Sequence, residues 1–325
     1  MQEASLIFNP MAGMASSHES VRLVAELWRQ QGWRVEICPT QHAGHATELA
    51  RVAATANQRL VIVAGGDGTI NEVVNGLVGS ETILAPLPMG TANCLAKELN
   101  LTSFANQQRK GLYAMTNALL TGEVHKVDVG RCTMPQSPPR HWLLWASVGF
   151  DSYVVHQIEP RSRQFKRFGK LAYTAKTLSL LPGFSGMQGR VTVDGKRVES
   201  EFLLINVSNA RWFAGGELYL NPYGKMDDGI FEVWLIHGHA WPELVRSGID
   251  IVRKIHPSQP QIQMLSGKHI EIETLRPQPA HLDGEPADST PILCDVVPKA
   301  LRLLTPRNTA IGLFQEASQP MSQLV

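Results

Sequence analysis

The sequence holds only four cysteines in 325 residues, Cys38, Cys94, Cys132 and Cys294, and none forms a C-x-x-C pair. That scarcity argues against a disulfide-rich secreted scaffold and against a cysteine zinc site, and predicts four reduced thiols in a cytosolic setting. No apolar run approaches the roughly 18 residues that a membrane-spanning helix requires. The start, Met1-Gln2-Glu3-Ala4-Ser5, lacks the basic and apolar stretches of a signal peptide, so a soluble, cytoplasmic chain is expected. Neither sign of charge is in excess: 30 basic against 29 acidic residues leave +1, which offers nucleic acid no global handle. Internal repeats are absent. Low-complexity sequence is confined to Pro135-Gln136-Ser137-Pro138-Pro139, read as a loop, and to the polar tail from Gln315 to Val325, read as frayed. The eleven histidines show no metal-ligand spacing, and His42 and His45 read as loop residues.

What is present centres on residues 60–79. Leu60-Val61-Ile62-Val63-Ala64 is an all-apolar, β-branched run of the kind found in a buried parallel strand. Gly65-Gly66-Asp67-Gly68-Thr69 follows, and then Ile70, Val73, Val74 and Leu77 mark one face of a helix. A strand, a glycine turn and a helix place backbone N–H groups at a helix N-terminus, where the dipole and the missing side chains favour a phosphate. Asp67 among those amides would repel the phosphate unless a divalent cation lay between them, which points to a metal-nucleotide. An ordinary βα turn rich in Gly and Asp remains the plainer reading of this segment alone.

Around this unit, strands at Ser5–Phe8, Val35–Ile37 and Ile83–Leu87 alternate with helical stripes at 21–28, 46–56, 95–99 and 107–120. That alternation predicts a doubly wound α/β sheet over residues 1–123. A second turn, Pro88-Met89-Gly90-Thr91-Ala92-Asn93, follows its strand as the first turn does, so both should meet at the carboxyl edge of the sheet. Beyond Gly122 the texture changes to short β-like runs separated by Gly, Pro, Asn and Asp, with an Asp194-Gly195 hairpin signal. The prediction is a β-rich, sandwich-like second domain over 124–305, interrupted by helices at Gly169–Leu181 and Trp241–Ile255, and a partly frayed segment over 306–325.

Taken in order, Asn9-Pro10, the 65–73 segment, Pro88-Met89-Gly90-Thr91-Ala92-Asn93, Gly169-Lys170-Leu171-Ala172-Tyr173, Asp227-Asp228-Gly229 and Leu282-Asp283-Gly284-Glu285-Pro286 resemble the diacylglycerol kinase catalytic-domain family. This family includes sphingosine and ceramide kinases and the YegS-like lipid kinases, and the resemblance spans roughly residues 4 to 305. It implies an α/β nucleotide-binding domain and a β-rich domain with the active site in the interdomain cleft, and ATP-dependent transfer of a phosphoryl group to a lipid hydroxyl. By the same resemblance, Gly65, Gly66, Asp67, Gly68, Thr69 and Asn71 form the triphosphate loop. Asn9, Thr40, Gly90, Thr91 and Asn93 add to the nucleotide site, and Glu285 is the general base. Asp128 joins a catalytic Mg2+ network with Asp67, while Asp228, with the main-chain carbonyls of Lys225 and Ile230, matches a structural magnesium position. Read locally, Asp283-Gly284-Glu285 is also a plain β-turn and Asp228-Gly229 a plain hairpin.

The chain departs from the family pattern at two places. Cys94 stands where many bacterial members carry an aspartate, and a thiol is a poor magnesium ligand. Met14 and Ala15 stand where a basic residue often follows the Asn-Pro element. The basic cluster of Arg161, Arg163, Lys166, Arg167, Lys170 and Lys176, with Leu178, Leu180, Leu181 and Phe184 nearby, reads either as a peripheral contact with an anionic membrane surface or as a solvated helix face. Expected partners are ATP and a lipid acceptor, without nucleic acid; the sequence leaves a homodimer open. Competing readings are an NAD kinase, which shares the glycine cradle, a small-polyol kinase on the same scaffold, and a catalytically weak lipid- or nucleotide-binding regulator.

Overall fold

A computed structural model of the chain describes residues 2–11, 18–90, 92–101, 109–159 and 173–323. In order, the first elements are β1 (Gln2–Phe8), α1 (His18–Gln30), β2 (Trp33–Pro39), α2 (His45–Thr55), β3 (Leu60–Gly65), α3 (Asp67–Leu77), β4 (Ile83–Pro88), α4 (Cys94–Glu98), α5 (Arg109–Leu120) and β5 (Glu123–Thr133). Then come β6 (Arg140–Trp142), β7 (Trp145–Gly149), α6 (Phe150–Ile158), α7 (173–180), β8 (Met187–Val193), β9 (Lys196–Ser208), β10 (Trp212–Phe213) and β11 (Leu218–Tyr219). The last are β12 (Phe231–His237), α8 (Trp241–Val252), β13 (Ile262–Gly267), β14 (His269–Thr274), β15 (Pro279–Leu282), β16 (Glu285–Ser289), β17 (Ile292–Thr305) and β18 (Gln319–Pro320).

These elements make two compact units. The first comprises residues 1–129, 225–228 and 298–325, and the second 130–224 and 229–297. This partition is discontinuous, unlike the contiguous ranges read from the sequence. Its physical cause is β17, whose Arg302 and Leu303 pair in parallel with Ile83 and Leu84 of β4 and so add a strand from near the C-terminus to the N-terminal sheet. The tail is held too: Gln315 and Glu316 donate their N–H groups to the buried Asp227 carboxylate at 2.6 and 2.8 Å, and Gln319 and Pro320 pair with β5. The expectation of a frayed tail over 315–325 is therefore corrected for residues 315–323, because a buried carboxylate and a strand edge take its backbone donors.

In the first unit the sheet runs β17-β4-β3-β1-β2, all parallel. All six residues of β3 are buried, as its unbroken apolar run predicts. Helix α2 is locked onto α3: Glu72 accepts the Ala46 N–H at 3.0 Å, and Thr47 donates its hydroxyl to the Glu72 carbonyl at 2.8 Å. A Cβ at Gly76 would sit 2.6 Å from the Ala50 Cβ, so only glycine permits this approach.

The second unit is antiparallel. Strands β8 and β9 form the hairpin expected at Asp194-Gly195, where φ is +46° and +83°, the left-handed pair that a tight hairpin turn needs. β9 also pairs with β7 and β12, β14 with β8 and the first half of β17, and β15 with β7 and β16. Their inward residues, among them Trp142, Phe202, Phe231, Ile270 and Leu282, form one apolar core. Strands β6 and β7 are separated at Leu143-Leu144, because the N–H groups of Leu143, Leu144 and Trp145 turn to the Asp283 carboxylate at 2.8 to 3.0 Å. Helix α6 was not expected at all, although Phe150, Val154, Val155 and Ile158 form its buried stripe. Of the expected 169–181 helix, residues 169–172 lie outside the described residues and 173–180 are helical.

Cys132 of β5 and Cys294 of β17 are joined by a disulfide, with Cα atoms 4.4 Å apart, within the second unit's core. The reading of four reduced thiols is corrected here: 162 residues separate the pair in sequence, and only the strand arrangement makes them neighbours. Cys38 and Cys94 are in no disulfide. Replacing Asp227 by Ala should strand two backbone donors and destabilise the chain by about 2–4 kcal/mol. Thermal unfolding checks the loss, and limited proteolysis should show first cleavage within residues 313–323.

Candidate active site

The first unit brings both glycine turns together. A Cβ at Gly90 would lie 2.6 Å from the Gly66 Cα, so the two backbones touch without side chains between them. Met89 seals the approach by donating its N–H to the Gly65 carbonyl at 2.7 Å. Asn93, at φ +53°, closes the second turn on itself: its side chain accepts the Gly90 N–H and donates to the Gly90 carbonyl, both at 2.8 Å. Asn9, at the end of β1, reaches Thr69 through Nδ2 at 3.5 Å, and Thr40, just past β2, donates its N–H to the Phe8 carbonyl at 2.8 Å. The carboxyl ends of β1 to β4 therefore converge on one edge, the position at which open α/β sheets bind ligands.

Helix α3 opens on that edge. Gly66 is its N-cap and no side chain caps it; Ile70, which donates to the Gly66 carbonyl at 3.1 Å, is the first N–H turned into the helix. The backbone of Asp67, Gly68 and Thr69 thus forms the positive first turn of a helix, suited to an anion. Asn71, on the next turn, is buried and its Nδ2 has no hydrogen-bond partner among the described residues. A buried unsatisfied amide donor is costly, and an anionic or carbonyl acceptor at this site would satisfy it. Thr91 lies outside the described residues.

The expected metal ligands are placed as follows. Asp128 is fully buried in the first unit, where its Oδ1 accepts the Lys299 N–H at 2.8 Å and its own N–H meets the Met226 carbonyl at 2.7 Å. Lys225 and Asp228 belong to the first unit and Ile230 to the second; Lys225 donates its ammonium to Gln315 Oε1 at 3.2 Å. Asp67, Asp128 and Asp228 do not form a three-carboxylate cluster: among the described residues the one such grouping of metal-ligating side chains is His42, His45 and Glu48. Even there His45 Nδ1 already accepts the Gln41 N–H at 3.0 Å. Cys94 is buried at the start of α4, directly after Asn93.

Glu285 begins β16 in the second unit, one residue past a tight turn in which Asp283 and Gly284 take φ of +49° and +80°. Its carboxylate is ion-paired with Arg140 at 2.9 Å, both side chains about one-third exposed. The turn is braced from beneath. Asp283 is buried and accepts three N–H bonds, from Leu143, Leu144 and Trp145, while Asn209 donates its side chain to the Leu143 carbonyl at 2.9 Å. Burial pushes the Asp283 carboxyl up, and its three N–H donors pull the other way. His281 accepts the Gly284 N–H at 3.2 Å through Nδ1, and so donates from Nε2 to Asp151 at 2.8 Å, with the ring almost fully buried. Sequence reasoning missed Arg140, Asp151 and His281 as supports of this turn. His281 alone left a signal, a histidine two positions before Asp283 in an otherwise apolar strand.

Known proteins resemble this chain along most of its length. Residues 3–132 match the model of the diacylglycerol kinase catalytic domain, and residues 145–305 that of the YegS C-terminal NAD kinase beta sandwich-like domain. The chain belongs to the diacylglycerol kinase catalytic-domain family. Membership makes it a lipid kinase, a phosphotransferase. It is 26% identical to a diacylglycerol kinase of Bacillus subtilis over 88% of this chain and 90% of that one. It is 29% identical to a YegS-like lipid kinase of Chromohalobacter salexigens over 92% of this chain and 93% of the other. A crystal structure from Bacillus anthracis superposes with a TM-score of 0.73 at 22% identity, covering 95% and 97% of the two chains, a likeness of fold. Among the described residues no helix is long and apolar enough to cross a membrane.

Gly90→Ala should weaken ATP binding at least tenfold, because the new Cβ forces the two turns apart. Calorimetric titration of the folded variant with ATP reads the effect, and its circular dichroism should match the parent's.

Proposed function

We propose that the chain transfers the γ-phosphoryl group of ATP to a hydroxyl of a diacylglycerol, sphingosine or related lipid, with Glu285 as general base. The observation that carries this reading is the contact of Gly66 and Gly90 over the start of α3, which makes a side-chain-free cradle for a triphosphate. Backbone amides of residues 66–69 stabilise the charge that accumulates on the transferring group, as phosphoryl transfer demands. Asn9, Thr40, Gly90, Thr91 and Asn93 keep the nucleotide in register. The acceptor hydroxyl forms the new O–P bond and passes its proton to the Glu285 carboxylate, and the bond to the bridging oxygen of ADP breaks.

Asp67 and Asp128 offer the hard carboxylate oxygens that suit Mg2+, and the buried Asp128 is the better organised of the two, because the Lys299 N–H fixes its orientation. Magnesium bound there would neutralise phosphate charge during transfer. Asp228, with the carbonyls of Lys225 and Ile230, is proposed as a second, structural magnesium site. Asp227 is spoken for by the tail. Arg140 holds the Glu285 carboxylate in place until the acceptor arrives, and Asp283, His281 and Asp151 keep the turn from shifting.

Peripheral contact with a membrane surface follows from a water-insoluble acceptor. Of the basic cluster read in the sequence, Arg161 to Lys170 lie outside the described residues; Lys176 is on α7.

Transfer from γ-labelled ATP to a detergent-dispersed panel of diacylglycerol, monoacylglycerol, sphingosine and ceramide, with NAD as a parallel acceptor, tests the reading. Labelled lipid is expected, and Glu285→Gln should lower its rate by about 10²–10⁴-fold. Asp67→Ala should abolish the magnesium dependence of ATP binding. Labelled NADP in place of lipid would move the chain to the NAD kinases, and magnesium-independent ATP binding without any product would favour a silent binding protein.

A further inference from the structure

Helix α8 carries apolar side chains on the wrong side for a surface helix. Its inner face is covered: Ser247, Asp250 and Ile251 are buried, and Leu244 packs into a cluster with Phe150, Val154, Leu180 and Phe184. Its outer face should then be polar. Instead Trp241, Val245, Ile249 and Val252, spaced i, i+4, i+8 and i+11, stand out on one stripe, with exposures of 40, 37, 46 and 67%, and Ile255 follows just beyond the helix. Such a row of exposed apolar residues marks a surface that something covers.

The charges around the stripe say what. Arg246 and Arg253, one helical repeat apart beside it, are exposed, and neither has an ion-pair partner among the described residues. Lys254 adds a third cation, lying over the Tyr219 ring at 5.1 Å. The acids of the helix are withdrawn: Glu243 accepts the N–H groups of His239 and Ala240 at 2.6 and 3.1 Å, and Asp250 is buried, accepting from Gln261 at 3.0 Å. A stripe of apolar residues, a tryptophan at one end and cations beside it without free acids is the pattern of a helix that lies in the headgroup plane of an anionic bilayer. A second copy of the chain would bring the same unneutralised cations against themselves.

We propose that the outer face of α8 is the surface by which this chain docks on an anionic lipid bilayer. The proposal rests on the lipid-kinase reading above, since an enzyme acting on a membrane-dissolved acceptor must hold to the interface. Val245, Ile249 and Val252 are exposed and none is among the helix's buried residues, so polar replacement spares the buried face.

Cosedimentation of the full chain with vesicles of phosphatidylcholine, with and without phosphatidylglycerol, tests it. Parent protein should bind the anionic vesicles, and V245Q/I249Q/V252Q should bind at least tenfold more weakly while phosphorylating a dispersed short-chain diacylglycerol at the parent rate. R246Q/R253Q should lose the preference for phosphatidylglycerol. Undiminished vesicle binding by the triple variant would overturn the proposal, as would a change from dimer to monomer in sedimentation velocity with vesicle binding intact, which would make the stripe a contact between copies. Should the parent phosphorylate no lipid yet bind vesicles through the stripe, the docking surface stands and the kinase reading falls.

Discussion

The close approach of the Gly66 and Gly90 backbones is the constraint on which the nucleotide unit depends. Two βα turns can share one phosphate cradle only if nothing projects between them, and a Cβ at Gly90 would meet the Gly66 Cα at 2.6 Å. The Met89 to Gly65 hydrogen bond and the Asn93 clasp around Gly90 then hold the second turn where the first can use it. Neither turn alone is specific to phosphate. Side by side, at the carboxyl ends of parallel strands, they keep side chains away from the open first turn of α3, whose N–H groups suit an anion.

Two buried carboxylates outside the proposed chemistry, Asp283 and Asp227, organise much of the rest. Asp283 gathers three N–H groups from the Leu143–Trp145 break and thereby fixes the turn that presents Glu285. Asp227 performs the same service for the tail, taking two N–H groups at residues 315 and 316. Each occupies the first position of a motif whose next acid, Asp228 or Glu285, carries the proposed chemistry. A carboxylate that satisfies several backbone donors is rigid, and rigidity in one residue sets the aim of its neighbour.

Much of this was legible in the sequence. The unbroken apolar run of β3, the glycines after it and the 3.6-residue stripe of α3 each carry a strong local signal, and the structure has all three. The Asp194-Gly195 hairpin was equally plain. What stayed hidden depends on distance along the chain. Nothing local says that β17 will join the N-terminal sheet, that Cys132 will find Cys294, or that Arg140 will pair with Glu285 across 145 residues. Helix α6 was hidden differently: it follows β7 without a break at Gly149, so its apolar stripe merges with the end of a buried strand. The hydrogen bonds beneath the Asp283 turn were hidden because the three donors lie far upstream.

Hydrogen exchange of the full chain with and without a non-hydrolysable ATP analogue and magnesium tests the cradle most directly. Nucleotide should protect the amides of residues 66–71 and 89–93 together, and Gly90→Ala should remove protection from both segments at once. Protection confined to one turn, or arising elsewhere in the chain while these two segments exchange freely, would contradict it.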